Sequence, residues 1–162
     1  MNKVRFTLLS ICCLAALAGS LTSCENGVVY QDAKIINKEG WYKNDLVSFD
    51  YSATDTAGTY DIIVDIRNTD KYEYQNFWLF LHFVSPDGIE FNDTLECVLA
   101  DNYGHWIGKS SGSMYELPVM ALSEISFPKA GTYHFELAQG KRADTLQGIH
   151  EIGIRIKQTK KE

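Results

Sequence analysis

Apolar and polar residues alternate in period two along much of the chain. Val47, Phe49 and Tyr51 alternate with Ser48 and Asp50, and Tyr60, Ile62, Val64 and Ile66 alternate with Asp61, Asp65 and Arg67, with only Ile63 breaking the polar set. Successive side chains of a strand point to opposite faces, so each stretch predicts a half-buried strand. Tyr133, Phe135 and Leu137 alternate with His134 and Glu136, and Ile152, Ile154 and Ile156 with Gly153, Arg155 and Lys157, predicting two more. Asn76 to Val84 is apolar on both faces except at His82, which predicts a central strand covered on both sides. Ser85-Pro86-Asp87-Gly88 predicts a turn, since Pro presets φ, Asp caps locally and Gly permits positive φ. A further strand leaves that turn through Ile89 and Phe91. Asp93 to Ala100 fits strand or helix equally, Asn102 to Ser113 reads as a long Gly- and Ser-rich loop, and Tyr115 to Ile125 as extended. Phe127-Pro128-Lys129-Ala130-Gly131 reads as a turn and Gln139 to Asp144 as a polar connection. Roughly eight strands with a turn about every ten residues predict an all-β chain, a single antiparallel β-sandwich of jelly-roll or immunoglobulin-like type.

The N-terminal stretch follows a different pattern. Lys3 and Arg5 precede an apolar run from Phe6 to Leu17, the layout of a secretory signal peptide and too short for an ordinary membrane span. Leu21-Thr22-Ser23-Cys24 resembles a bacterial lipobox. That resemblance implies cleavage before Cys24, a diacylglycerol thioether on its sulfur and acylation of the new amino group. The expected organisation is a signal peptide over 1–23, the lipidated Cys24 and tether over 24–29, a β-sandwich domain over 30–158 and a charged tail over 159–162. A tether of about five to ten residues reaches at most roughly 17–35 Å, so the domain stays close to its membrane.

Charge and cysteines narrow the partners. The net charge of −6 becomes −8 once Lys3 and Arg5 leave with the signal peptide. So acidic a chain is a poor ligand for nucleic acid or an anionic bilayer, and membrane attachment is left to the lipid. Cys12 and Cys13 leave with the signal and Cys24 carries lipid, so Cys97 has no partner for an internal disulfide. Within Leu95-Glu96-Cys97-Val98-Leu99 it reads as a small buried hydrophobe, with no basic neighbour to activate the thiol.

Several stretches hold chemistry in principle. Asn102-Tyr103-Gly104-His105-Trp106, with Asp93 and Glu96 near in sequence, could furnish a metal site or a general base. The composition favours a loop pinned by a buried Trp106 with a solvated His105. His82, His134 and His150 lie in separate predicted strands, and the sequence has no nucleophile elbow, P-loop or dinucleotide fingerprint. Asp61, Asp65, Asp87 and Asp93 could pair as glycosidase carboxylates, but acids on a strand's polar face are ordinarily its solvated face. The expectation is no catalytic residue, no cofactor and no metal. Trp41, Tyr42, Tyr72, Tyr74, Trp78, Tyr103, Trp106 and Tyr115 are either core packing or an exposed platform for a sugar or a partner protein. Tyr72-Glu73-Tyr74 is too polar to be fully buried, which keeps the platform open as a reading.

The order of motifs resembles the gliding motility lipoprotein GldH family of the Bacteroidetes. The resemblance runs through Trp41, Phe49, Ile66-Arg67-Asn68, Tyr72 to Phe80, Pro86-Asp87-Gly88, Asp93-Thr94-Leu95-Glu96, Leu99-Ala100-Asp101 and Gly104-His105-Trp106-Ile107-Gly108. It continues through Phe127-Pro128, Gly131 to Phe135, Gln139-Gly140-Lys141-Arg142, Leu146 to Ile149 and Gly153, behind the lipobox. One departure is visible, Lys141 standing where the family pattern has Met before Arg142. The resemblance implies an envelope lipoprotein of the gliding and type IX secretion machinery. Its implied role is non-catalytic, structural or assembly, with other envelope proteins as partners and Cys24 the only functional residue carried over. A carbohydrate-binding envelope module is the alternative. Surface-exported lipoproteins of this phylum carry an acidic run after the acylated Cys. Only Glu25 follows Cys24 directly, so the expected location is the outer membrane, facing the periplasm.

Overall fold

The alternating stretches do form strands, and their apolar residues point one way into a common core. The structure is a computed structural model that describes residues 27–159. The expected signal peptide, Cys24, the tether residues Glu25 and Asn26, and the tail beyond Thr159 lie outside the described residues. Among the described residues, the strands are β1 (Val28–Ile35), β2 (Trp41–Tyr42), β3 (Val47–Ala53), β4 (Thr59–Thr69), β5 (Asn76–Val84) and β6 (Glu90–Val98). They continue with β7 (Lys109–Ser111), β8 (Met114–Ser126), β9 (Gly131–Gln139), β10 (Thr145–Leu146) and β11 (Ile149–Gln158). One sheet has the order β1-β11-β4-β8-β7, the other β3-β9-β5-β6, and β2 pairs with β10 in a short ribbon. Every pairing is antiparallel.

The core lies between the two larger sheets. Ile62, Val64 and Ile66 of β4 and Ile152, Ile154 and Ile156 of β11 are wholly buried, facing Phe77, Leu79, Leu81, Phe135 and Leu137 of the other sheet. β-branched side chains suit a pleated surface, and burying each contributes about 1.5–3 kcal/mol relative to leaving it in water. Of the stretch Asp93 to Ala100, Asp93 to Val98 is strand, with Cys97, Leu95, Asp93 and Phe91 in unbroken register with Phe77, Leu79, Leu81 and Phe83, and Ala100 makes an isolated bridge to Trp106. The predicted loop over Asn102 to Ser113 contains the short strand β7, which pairs with the start of β8.

One glycine fixes how the chain returns to this core. Gly148 has φ +85, and a Cβ there would overlap the backbone of Lys71 and Tyr72. Its carbonyl accepts the Thr69 N–H at 2.8 Å, joining the end of β4 to the turn before β11. Only glycine combines that conformation with that approach.

Candidate functional site

The outer faces of the two sheets are unlike. On the five-stranded sheet the charged side chains pair across strands. Arg67 donates to Glu116 through Nε (3.1 Å) and Nη2 (3.0 Å), and its Nη1 lies 3.0 Å from Glu151. Arg155 grips Asp65 in a two-pronged pair at 2.6 and 2.7 Å. Asp61 accepts the backbone N–H of Glu124 at 3.0 Å. Asp87 accepts the Ser85 hydroxyl inside its turn, and Asp93 the Thr94 N–H at 2.7 Å. The four aspartates considered as paired carboxylates thus lie on β4, the β5–β6 turn and β6, each with a local donor.

The outer face of the four-stranded sheet carries an aromatic stripe instead. The prediction that β5 is covered on both sides holds for Phe77, Leu79 and Leu81 only. The alternate residues Trp78 (36% exposed) and Phe80 (47%) face solvent, because nothing among the described residues stacks on that side. Tyr74 (42%) and Val98 (48%) extend the stripe. Phe80 lies between Ala138 of β9 and Thr94 of β6, while Trp78 pairs with Glu96 and Asn76 with Val98.

Beyond one end of the stripe, the register assembles a ladder of histidines and carboxylates. His82 Nδ1 is 3.1 Å from Glu136 Oε2, and Glu136 Oε1 is 3.4 Å from His134 Nε2. His134 Nδ1 is 2.6 Å from Asp50 Oδ1, and Glu90 lies 3.8 Å from His82 Nε2. The hydrogen bond to Asp50 is the main cause that raises the His134 pKa, against a smaller opposing effect of burial. His82 and His134 stand on separate strands, as the sequence predicts, yet both lie against one carboxylate. Among the described residues, no three His, Cys, Asp or Glu side chains converge as metal ligands would.

At the other end of the stripe, the connection after β9 forms a clamped loop. Gln139 is buried, and its amide Nε2 donates to the Ala143 carbonyl at 2.9 Å while its Oε1 accepts the Lys141 N–H at 2.8 Å. The Gly140 N–H donates to the Trp78 carbonyl at 2.7 Å. A Cβ at residue 140 would come within 3.0 Å of Trp78 Cβ, so glycine is what lets the loop lie this close. Lys141 Nζ donates to Asn76 Oδ1 at 2.8 Å and sits 4.5 Å from the Tyr74 ring centroid. Asn76 Nδ2 in turn donates to Glu96 Oε1 at 2.7 Å. Desolvation lowers the Lys141 pKa, and the charge of Glu96 opposes that shift. Tyr74, Trp78, Gly140, Lys141, Arg142 and Ala143 line a cavity of about 550 Å³. In the sequence this loop reads as a polar connection and as one of the motifs in the family's order, with no sign of the clamp. The available signal was Lys141-Arg142, two adjacent cations in an acidic chain.

The loop after β6 is organised differently from a metal or base site. The Asp101 carboxylate accepts the N–H groups of Tyr103 (2.8 Å) and His105 (2.9 Å) and lies 3.1 Å from His105 Nδ1. Hydrogen bonding to the His105 N–H leads the causes that hold the Asp101 pKa down. Glu96 and Asp93 bond to Asn76 and Thr94, so the structure does not gather them around His105. His105 is exposed, as expected, and Trp106 is half-buried rather than fully buried, with its ring near those of Tyr72 and Tyr115. Cys97 is buried, and desolvation pushes its thiol pKa up to about 12. Of the remaining aromatics, Trp41 is core and its Nε1 donates to the Asp45 carbonyl at 2.7 Å. Tyr72 is buried despite its polar neighbours, because its hydroxyl donates to the Asn76 carbonyl at 2.8 Å. Tyr74 beside it is left in solvent.

Comparison with known proteins agrees with the motif order. The pattern of the family described as GldH lipoprotein matches residues 28–156. A gliding motility lipoprotein GldH homolog of Christiangramia forsetii is 29% identical over 145 residues, covering 85% of this chain and 88% of the relative. The gliding motility lipoprotein GldH of Flavobacterium johnsoniae is 28% identical over 145 residues, covering 85% and 89%. Among solved structures, a family GH115 4-O-methyl-α-glucuronidase matches 85% of this chain and 18% of its own, at 10% identity and a TM-score of 0.42. A bacterial lipoprotein from Bacteroides thetaiotaomicron matches 86% and 92%, at 10% identity and a TM-score of 0.26. Likenesses this loose carry no argument about function.

Proposed function

As the chain belongs to the GldH lipoprotein family, we propose that it is a non-catalytic structural or assembly component of the gliding-motility machinery, associated with type IX secretion. In this reading Cys24 carries the lipid, and the domain hangs from the outer membrane on its periplasmic side. The observation that carries the binding role is the contrast between the outer faces. Cross-strand ion pairs occupy much of the face of the five-stranded sheet. The other presents Tyr74, Trp78, Phe80 and Val98 to water, rimmed by Asn76, Thr94, Glu96 and Lys141. An apolar centre within a polar rim is the layout of a protein-binding surface. The partner on this reading is another envelope protein.

Two experiments test this. Cys24→Ala should abolish incorporation of a clickable fatty acid and leave unprocessed precursor, and unchanged labelling would remove the anchor. A photo-crosslinking amino acid at position 80 should capture a discrete envelope protein in cells, while one at position 120, on the opposite sheet, should not. Equal capture from both positions, or none from 80, would remove the stripe as the contact surface.

A second reading is a carbohydrate-binding envelope module. The cavity at the end of the stripe favours it, since Trp78 and Tyr74 stand there with Asn76 and Glu96 beside them.

A further inference from the structure

We propose that the cavity between β5 and the loop over 139–143 is a subsite for a carboxylated sugar ring, a uronic acid residue of an acidic glycan. The proposal rests on the carbohydrate reading of that corner and adds the charge of the ligand and the residue that reads it.

Place in the sheet decides what kind of ligand fits. β5 pairs with β6 along its length and with β9 from Leu79 onward, and at the cavity the Trp78 and Asn76 carbonyls are taken by the Gly140 N–H and the Tyr72 hydroxyl. A peptide therefore gains no strand-addition hydrogen bonds here, and the ligand must be held by side chains. A volume of about 550 Å³ falls within the range of small-molecule sites. Trp78 offers an accessible indole, and the C–H face of a pyranose is an apolar plane of matching size. Hydroxyls around such a ring need donors and acceptors close together. Lys141 Nζ, which lines the cavity, donates to these hydroxyls, held in place from behind by its bond to Asn76 and, through Asn76, by Glu96.

Arg142 supplies the charge selection. Arg67 and Arg155 hold carboxylates of their own sheet, whereas Arg142 lines the cavity, exposed, with no carboxylate partner among the described residues. A guanidinium matches a carboxylate in a two-pronged pair, and a ligand carboxyl would complete one. The loop that presents it is already ordered by the Gln139 clamp and by Gly140 against Trp78, so little freedom is lost on binding.

The test is titration calorimetry of the full-length lipoprotein in detergent with trigalacturonate and with its methyl ester, which keeps the shape and removes the charge. Trigalacturonate should bind, and the ester about tenfold or more weaker, as expected for losing one charged hydrogen-bonded contact. Arg142→Gln should erase the preference for the acid, and Trp78→Ala should weaken both ligands. Lys109→Gln, on the other sheet, should change neither. Arg142 is exposed and unpaired, so its variant will fold, as a thermal melt will verify. Equal binding of acid and ester would overturn the acidic subsite and leave the carbohydrate reading standing. Binding of neither would overturn both. A preference that survives Arg142→Gln would remove Arg142 as the residue that reads the charge.

Discussion

Gln139→Leu tests whether the loop beside Trp78 is built or merely present. The native amide makes two hydrogen bonds from a buried position, donating to the Ala143 carbonyl at 2.9 Å and accepting the Lys141 N–H at 2.8 Å. Losing such a bond while its partner stays out of water costs about 1–3 kcal/mol. Lys141 and Ala143 are half-buried, so water relieves part of that cost and about 1.5 kcal/mol for each is reasonable. Leucine returns about 1 kcal/mol through added apolar burial. The net loss is about 2 kcal/mol, which for a domain of this size lowers the melting temperature by about 6–10 °C. Scanning calorimetry of the mature lipoprotein in detergent reads this directly. Gln139→Glu adds a pH dependence to the same perturbation. The ionised carboxylate accepts from Lys141 but faces the Ala143 carbonyl, so it should be more damaging near neutral pH than in mild acid, where a protonated carboxyl donates again. A Gln139→Leu protein melting within about 2 °C of wild type would refute the clamp.

Other outcomes follow from the same geometry. Cys97, buried with its thiol pKa pushed up to about 12, should react slowly with a thiol reagent in the native protein and quickly after denaturation, and rapid native labelling would contradict its burial. The folded His134 holds its proton more tightly than the unfolded chain, so its contribution is complete below the ordinary imidazole value of 6.5 and is lost as pH rises through the raised folded value. His134→Gln should therefore cost more stability near about pH 5.5 than near about pH 8.5 in urea titrations, with a difference under about 1 kcal/mol because the ring is partly exposed. Trp106→Ala should cost about 2–3 kcal/mol, below the value for a fully buried indole, since its ring is half-buried against the core. His105→Ala should cost less, because its contact with Asp101 is exposed, and melts that reverse this order would make Trp106 a binding rather than a packing residue.

Much of the sandwich is legible in the chain because period two is a local property. The alternations around Phe49, Val64, Phe135 and Ile154 each state which residues turn inward, and the structure buries those residues. The family's motif order is likewise a matter of order along the chain, needing no partner strand to be recognised. What the chain could not state is which of two apolar faces is covered. Trp78 and Phe80 look like Phe77 and Leu79 in sequence, and only the stacking of one sheet on the other leaves the first pair in water. Nor does a local pattern carry register. His82 and His134 meet at Glu136, and Asp50 meets His134, because β3, β9 and β5 lie side by side at one alignment, and a slip of one residue would turn them to the other face. The Gln139 clamp was hidden for the same reason. A glutamine in a polar stretch is ordinary until β9 ends beneath its own loop and leaves the amide no partner but that loop's backbone. Strand identity is thus written in neighbouring residues, while exposure, charge clusters and the candidate site come from contacts between residues far apart in the chain.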